Sequence, residues 1–375
     1  MSASHPGQLA TAAVRALLPY VPGKPISALE REYGVTDVIK LASNENPYGP
    51  SPRALEAMRL ALAEAWLYPD GSGHDLKRAL AAHLAVPVDR ITLGNGSNEL
   101  LLMLAEAFLT AQHNALCSQY GFAIYPLVIR ATGARCIESP AYGAGNAMAY
   151  GHDLAAMSGL IDAATRLVFI ANPNNPTGTW VERGALRDFI AAASVHTLVV
   201  LDEAYLEFAE LSGCASGLSW VNEFPNLVVL RTFSKGYGLA GVRVGYAVSH
   251  PEVADALNRI RPAFNVSNLG QAGALAALAD QAHVVNAARR IVDERERVAQ
   301  ALRGLGVRCA PSAGNFLMVE VGAGAAAVYE QLLRGGVIVR PRTGYGLGRH
   351  LRISIGLPVQ NDRLLTLLAP LLRVP

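Results

Sequence analysis

Lys235 is one of only four lysines in a chain of 375 residues, against 28 arginines. It stands in "RTFSKGYGLAGVRVGY" (231–246), between an apolar run and a glycine-rich turn. A lysine is ordinarily a solvated charge. One set beside a buried strand, with Arg243 eight residues on, is different: desolvation and a nearby cation both favour the neutral amine, which is a nucleophile. Arginine cannot substitute, because its guanidinium stays protonated.

Three further segments put polar groups after apolar runs. In "ITLGNGSNELLLML" a strand ends at Gly94, and Gly96, Ser97 and Asn98 open a helix. Glycine allows close backbone approach, and a helix N-terminus offers free N–H groups to an anion; an ordinary capping turn reads the same way. In "LVFIANPNNPTG", Asn172 and Asn175 follow a second apolar run. In "TLVVLDEAYLEF", Asp202 closes a third. The Lys235 segment adds Thr232, Ser234 and Arg243, a second set of anion contacts with a bidentate fork. A nucleophilic lysine, two phosphate seats and one isolated carboxylate together describe a pyridoxal 5′-phosphate site. The lysine joins the cofactor as an imine, and the aspartate keeps the ring nitrogen protonated.

Competing chemistries lack their motifs. Asp202 resembles a Walker B acid, but the only Gly-Lys is Gly23-Lys24 and Pro25 follows it, so no P-loop exists. No Gly-x-Ser-x-Gly or Ser-x-x-Lys occurs, and "TGYGLGR" is not a dinucleotide fingerprint. Cys117, Cys136, Cys214 and Cys309 are scattered and the nine histidines form no HExxH, so no metal site is expected. A net charge of +2 without basic runs argues against nucleic acid. No apolar stretch is long enough for a membrane span, and the N-terminus lacks signal-peptide character. A cytoplasmic protein acting on small molecules is the expectation.

The elements that must position these residues alternate. Strands are expected at 89–94, 114–119, 134–139, 165–172, 196–204, 226–233 and 242–249, with helical stretches between. Several read as continuous apolar runs, the pattern of strands buried on both faces. This predicts an α/β fold: a large domain (36–260) with a mostly parallel seven-stranded sheet covered by helices on both faces. A smaller α+β C-terminal domain (261–375) follows, and an extended N-terminal arm (1–35) packs partly on it. Hydrophobic residues make up 51% and charged residues 17% of the chain, enough apolar material for two cores.

The set "SNENPYGP", "YPD", "NNPTG", "DEAY", "FSKGYGLAGVRVGY" and "LRISIG" closely resembles fold-type I pyridoxal-phosphate aminotransferases, in particular their histidinol-phosphate branch. The likeness runs over nearly the whole chain. It implies that Lys235 is the Schiff-base lysine and proton shuttle, and that Asp202 pairs with the pyridine nitrogen. Asn175 and Tyr205 would bind the ring 3-oxygen. Gly96, Ser97, Asn98, Thr232, Ser234 and Arg243 would hold the phosphate, although Asn98 stands where many relatives carry Asp. Tyr120 would stack on the ring. Tyr48 would reach the cofactor phosphate of a second subunit, which implies a homodimer with shared active sites. Arg352 would take a substrate carboxylate or, in the histidinol-phosphate branch, the substrate phosphate, together with Arg340 and Tyr20; Asn44 joins this substrate set, and Arg342 competes with Arg340. The reaction implied is histidinol phosphate and 2-oxoglutarate to imidazole acetol phosphate and glutamate. Aromatic amino-acid transamination and phospho-amino-acid decarboxylation are the alternatives on this fold.

Overall fold

A computed structural model describes residues 5–372, apart from 213 and 215. All seven expected strands form one sheet: β1 (Ile91–Gly94), β2 (Asn114–Ser118), β3 (Arg135–Ser139), β4 (Thr165–Ala171), β5 (Leu198–Asp202), β6 (Leu227–Thr232) and β7 (Gly245–Val248). Their order is β1-β7-β6-β5-β4-β2-β3, and every pairing is parallel except those of β7, which runs against both neighbours. Two reversals return β1 to the direction of β6. The carboxyl ends of β1, β4, β5 and β6 and the amino end of β7 therefore share one edge of the sheet.

The continuous apolar runs divide by alternation. Val199 and Leu201 of β5 enter one core with Val168, Ile170, Leu227 and Val229, while Val200 enters another with Leu167, Phe169, Val228 and Leu230. Side chains on successive strand residues face opposite sides, so each face carries its own core. The second core is closed by α1 (Ser97–Phe108), whose Leu100, Leu101, Met103 and Leu104 are buried. The first is closed by His74–Leu84 and Arg183–Ala192, through Leu76, Leu80, Leu186 and Phe189. At about 1.5–3 kcal/mol per fully buried aliphatic or phenyl side chain, these layers fix the sheet edge rigidly.

The smaller unit carries an antiparallel sheet of β8 (Arg308–Cys309), β9 (Phe316–Glu320), β10 (Arg340–Pro341) and β11 (His350–Ser354), in the order β10-β11-β9-β8. Apolar packing does not change over at residue 260. Val266, Ala274, Ala277, Leu278 and Val284 pack into the large-domain core, whereas Ala288, Ile291, Val298 and Leu302 pack into the small one. α2 (Gln281–Gly304) thus contributes to both cores. A helix that is continuous across two cores hides the boundary from composition. At the other end, Ile39–Lys40 pairs in parallel with Val337–Ile338, so this part of the expected large domain belongs to the small one. The arm is not wholly extended: Ile26–Tyr33 is helical, with Leu29 buried against Leu333 and Ile338. Among the described residues no helix is long and apolar enough to cross a membrane, and no group of His, Cys, Asp and Glu could hold a metal ion.

Candidate active site

The shared edge of the sheet forms the floor of a cavity of about 260 Å³, lined among others by Ser97, Asn98, Asn175, Asp202, Tyr205, Thr232, Ser234, Lys235 and Arg243. One end of it is an anion cradle. Gly96 caps α1 with φ +79°, a left-handed value natural to glycine. A Cβ there would lie 2.1 Å from Nη2 of Arg243, and one on Gly245 would lie 2.5 Å from the Ser97 amide nitrogen. Gly245 is required by close backbone approach, and Gly96 by its left-handed φ. Arg243 precedes β7, and the reversed direction of that strand brings its guanidinium to the α1 N-terminus. Its Nη1 donates to Ser234 Oγ at 3.1 Å and to the Ala240 carbonyl at 2.9 Å. Thr232 Oγ1 donates to Ser234 Oγ at 3.0 Å and accepts from the Ser234 amide at 3.1 Å. A guanidinium, two hydroxyls and a helix N-terminus make a phosphate seat.

At the centre, Asp202 is buried at the end of β5. It accepts from Tyr125 Oη at 2.9 Å and from the Ala204 amide at 3.2 Å, and no cationic side chain pairs with it among the described residues. Burial pushes its carboxyl up to about 6. A buried carboxylate is stabilised by a facing cation, and a protonated ring nitrogen supplies one. Tyr205 Oη accepts from Asn44 Nδ2 at 2.9 Å, which leaves its own proton free to donate. Asn44, with φ +55°, is held by a reciprocal pair of bonds with Ser354: its amide donates to Oγ and its Oδ1 accepts from Oγ, both at 2.8 Å. The cradle, the unpaired carboxylate and the free phenol all fit the expected cofactor.

Lys235 Nζ donates to the Ser43 carbonyl at 3.0 Å and lies 5.7 Å from the Tyr205 ring centroid. Burial, followed by the charge of Arg352, lowers its amine to about 8. Below that pH the neutral fraction falls about tenfold per unit. The rate of pyridoxal-phosphate capture by the apoprotein is therefore expected to rise with pH and level off above about 8. Stopped-flow absorbance across pH 6–10 checks this; a rise continuing towards the ordinary lysine value of 10.5 would contradict it.

The other end is cationic. Arg340 and Arg352 are directly opposed across β10 and β11, so both side chains stand on one face of the sheet. Like charges so placed repel, and an anion between them removes the repulsion. Arg352 is buried: Nη1 donates to Asn175 Oδ1 at 2.6 Å, Nη2 donates to the Ala42 carbonyl, and Nε has no partner in the protein. Arg340 donates to the Val21 carbonyl and lies 5.9 Å from the Tyr20 ring. Tyr20, Arg340 and Arg352 all line the cavity. Arg342 does not; it lines an adjoining outer cavity of about 1040 Å³ beneath residues 18–25. Its buried Nε is likewise unpartnered, and burial with the charge of Arg352 lowers it to about 9.

Two further expected residues lie outside this cavity: Tyr120, and Tyr48, whose expected place is the site of a second subunit. Tyr120 does not line the cavity. The turn after β2 is closed by the Gly121 amide on the Ser118 carbonyl at 2.7 Å, and the Tyr120 ring lies edge-on to Tyr150 at 5.5 Å. Phe122, two residues further, lines the wall instead. Tyr48 is also outside the cavity, its half-buried ring covered by the Arg290 guanidinium at 4.0 Å. Ser43, Glu45, Phe122 and Tyr125 are cavity residues not anticipated. Tyr125 has a sequence signal only in retrospect, since a buried tyrosine and an aspartate partner read alike.

The aminotransferase class I and II family model matches residues 36–368. Curated relatives include histidinol-phosphate aminotransferase 1 of Nitrosococcus oceani, 49% identical over 365 residues and 97% of each chain. Histidinol-phosphate aminotransferase 2 of Pseudomonas aeruginosa is 50% identical over 368 residues, covering 97% of this chain and 98% of the other. Among solved structures, histidinol-phosphate aminotransferase from Sinorhizobium meliloti in complex with pyridoxal-5′-phosphate superposes with a TM-score of 0.88 at 33% identity over 97% of both chains. With a cradle, a buried acid and a lysine at one sheet edge, and this likeness along almost the full length, the chain belongs to the class I and II aminotransferases.

Proposed function

We propose that this chain is a pyridoxal-phosphate-dependent histidinol-phosphate aminotransferase, converting histidinol phosphate and 2-oxoglutarate to imidazole acetol phosphate and glutamate. The observation that carries the substrate is the opposed pair Arg340–Arg352 on the cavity wall beside Lys235. When bound, the cofactor supplies an electron sink for the substrate α-carbon. Ser97, Asn98, Thr232, Ser234 and Arg243 hold its phosphate around the backbone space left by Gly96. Asp202 keeps its ring nitrogen protonated, and Asn175 and Tyr205 donate to its 3-oxygen. Phe122 flanks the ring. Lys235, neutral and desolvated, accepts the proton from the substrate α-carbon and later returns one. Arg352, Arg340 and Tyr20 receive the substrate phosphate in one half-reaction and a carboxylate of glutamate or 2-oxoglutarate in the other, with Asn44 ordering that end through Tyr205.

The enzyme is a cytoplasmic homodimer in this reading. Trp66 and Tyr68 are each 81% exposed, and Leu60, Leu62 and Phe264 lie exposed in the same stretches, Tyr68 stacking on Phe264 at 4.7 Å. Such an apolar patch suits an interface, and Tyr68 is freer than the covered Tyr48 to enter a partner's site.

Steady-state kinetics of the holoenzyme with histidinol phosphate, histidinol, phenylalanine and phosphothreonine tests the substrate. Loss of charge-assisted bonds to the two arginines is worth about 2–5 kcal/mol, so histidinol is expected to fall by on the order of 10²-fold or more in kcat/KM. Phenylalanine outpacing histidinol phosphate would replace the reading with aromatic transamination, and carbon dioxide release from phosphothreonine would replace it with decarboxylation.

A further inference from the structure

Behind Lys235, on the side away from the cavity, lies a group of acids that the chemistry above does not use. Glu203, next to Asp202 but on the opposite strand face, is fully engaged. Its Oε1 accepts from the Gly217 amide at 2.6 Å, and its Oε2 from Ser216 Oγ at 2.9 Å and Arg231 Nε at 3.0 Å. Glu207, in the short helix Leu206–Ala209, is bonded less fully: its own backbone amide reaches the carboxyl, while Oε2 is sealed from solvent and has no hydrogen-bond partner. It packs directly beneath the lysine's neighbour. A Cβ built on Gly236 would fall 2.6 Å from Glu207 Cγ, 2.7 Å from Cβ and 2.8 Å from Cδ. From above, Asn46 Nδ2 donates to the Gly236 carbonyl at 2.9 Å, so that peptide is clamped between the segment holding Asn44 and the Glu207 side chain.

We propose that Glu207 is a positioning residue for Lys235, a wedge under Gly236 that fixes the lysine's backbone against the segment 202–207 that carries Asp202 and Tyr205. The proposal rests on the role given to Lys235 above. Both arms of the site, the lysine and the two ring partners, then share one contact, and their spacing is set by a side chain that touches neither substrate nor cofactor. Charges facing Glu207 come from several elements: Arg231 of β6 attracts its anion, Glu203 and Glu210 oppose it, and burial is the largest influence, raising the carboxyl to about 7. Tyr237 and Tyr246 face it from the lysine loop and β7. Arg231 is already committed to Glu203, so the volume of the Glu207 side chain, and not an ion pair, does the positioning.

Glu207→Ala and Glu207→Gln holoenzymes test this. A misplacement of under an ångström at a reacting group costs on the order of tenfold or more in rate. Glu207→Ala is expected to lose about tenfold in kcat, with KM for histidinol phosphate changed by less than about twofold. Its bound-cofactor absorbance maximum should shift from that of wild type. Glu207→Gln, which keeps the wedge without the charge, is expected to recover most of that kcat and the wild-type spectrum. Because Gln preserves volume, it remains informative if the alanine variant does not fold. Wild-type kcat and spectrum in Glu207→Ala would overturn the proposal, as would a Glu207→Gln kcat ten or more times below wild type. If the wild-type protein itself shows no cofactor band, the site reading fails, and not the wedge alone.

Discussion

Lys235→Ala is expected to lose amine transfer, with kcat down by on the order of 10⁴-fold or more, because one side chain supplies both nucleophile and proton carrier. The fold should not suffer. The lysine makes a single hydrogen bond, to the Ser43 carbonyl, and its amine is held below its ordinary value by burial, so its removal relieves a strained charge. Cofactor affinity should persist in part, since the Ser234–Arg243 cradle does not involve the amine. Lys235→Arg separates charge from chemistry: it restores a cation but not an ionisable amine, and should be as inactive as alanine. Rates, melting temperature and cofactor content of the three proteins check this. A Lys235→Ala enzyme retaining a few per cent of wild-type kcat would remove the lysine from the centre of the account.

Asp202→Asn is expected to cost about 2–5 kcal/mol of transition-state stabilisation, roughly 30-fold to several thousand-fold in kcat/KM, the range for truncating one partner of a buried charge pair. The amide oxygen keeps the bond from the Ala204 amide, while the NH2 that replaces the other oxygen donates to Tyr125 Oη, whose hydroxyl turns to accept; the shape is kept and the charge is lost. Stability of the apoprotein should move the other way. The Asp202 carboxyl titrates at about 6 in the fold against an ordinary 3.8. The folded state therefore binds the proton more tightly, and its stability declines as pH rises towards about 6. The asparagine variant escapes that decline, gaining at most about 3 kcal/mol above pH 6 and nothing near pH 3.5. Thermal melts at pH 5 and pH 7.5, beside kinetics, test both signs. A variant both fully active and unstabilised would contradict the assignment of Asp202 to a cofactor cation.

The sheet was legible because strands buried on both faces leave unbroken apolar runs, and Val199-Val200-Leu201 is such a run. The cavity residues after those runs, Asn175, Asp202 and Thr232, followed from the strand ends alone. Strand direction was not legible. Nothing in "VRVGYAVS" reveals that β7 is antiparallel, yet that reversal is what carries Arg243 to the cradle. Tyr120 was placed by motif, but the turn Ser118–Gly121 decides which way its ring points, and the motif does not specify that turn. The sharing of one helix between two cores was not legible, because α2 gives Val284 to one and Ile291 to the other within two turns. The Glu207 wedge had no local signal, since its partner Gly236 is distant in sequence and reads as turn flexibility.

The central claim, amine transfer from a phosphorylated substrate held by Arg340 and Arg352, is tested most directly by one half-reaction. Holoenzyme is mixed with histidinol phosphate in the absence of 2-oxoglutarate while the cofactor's visible absorbance is followed. The account predicts loss of the band in a single turnover, with one equivalent of imidazole acetol phosphate per subunit, and its return on adding 2-oxoglutarate. A band that histidinol phosphate leaves unchanged, while phenylalanine bleaches it, would contradict the claim.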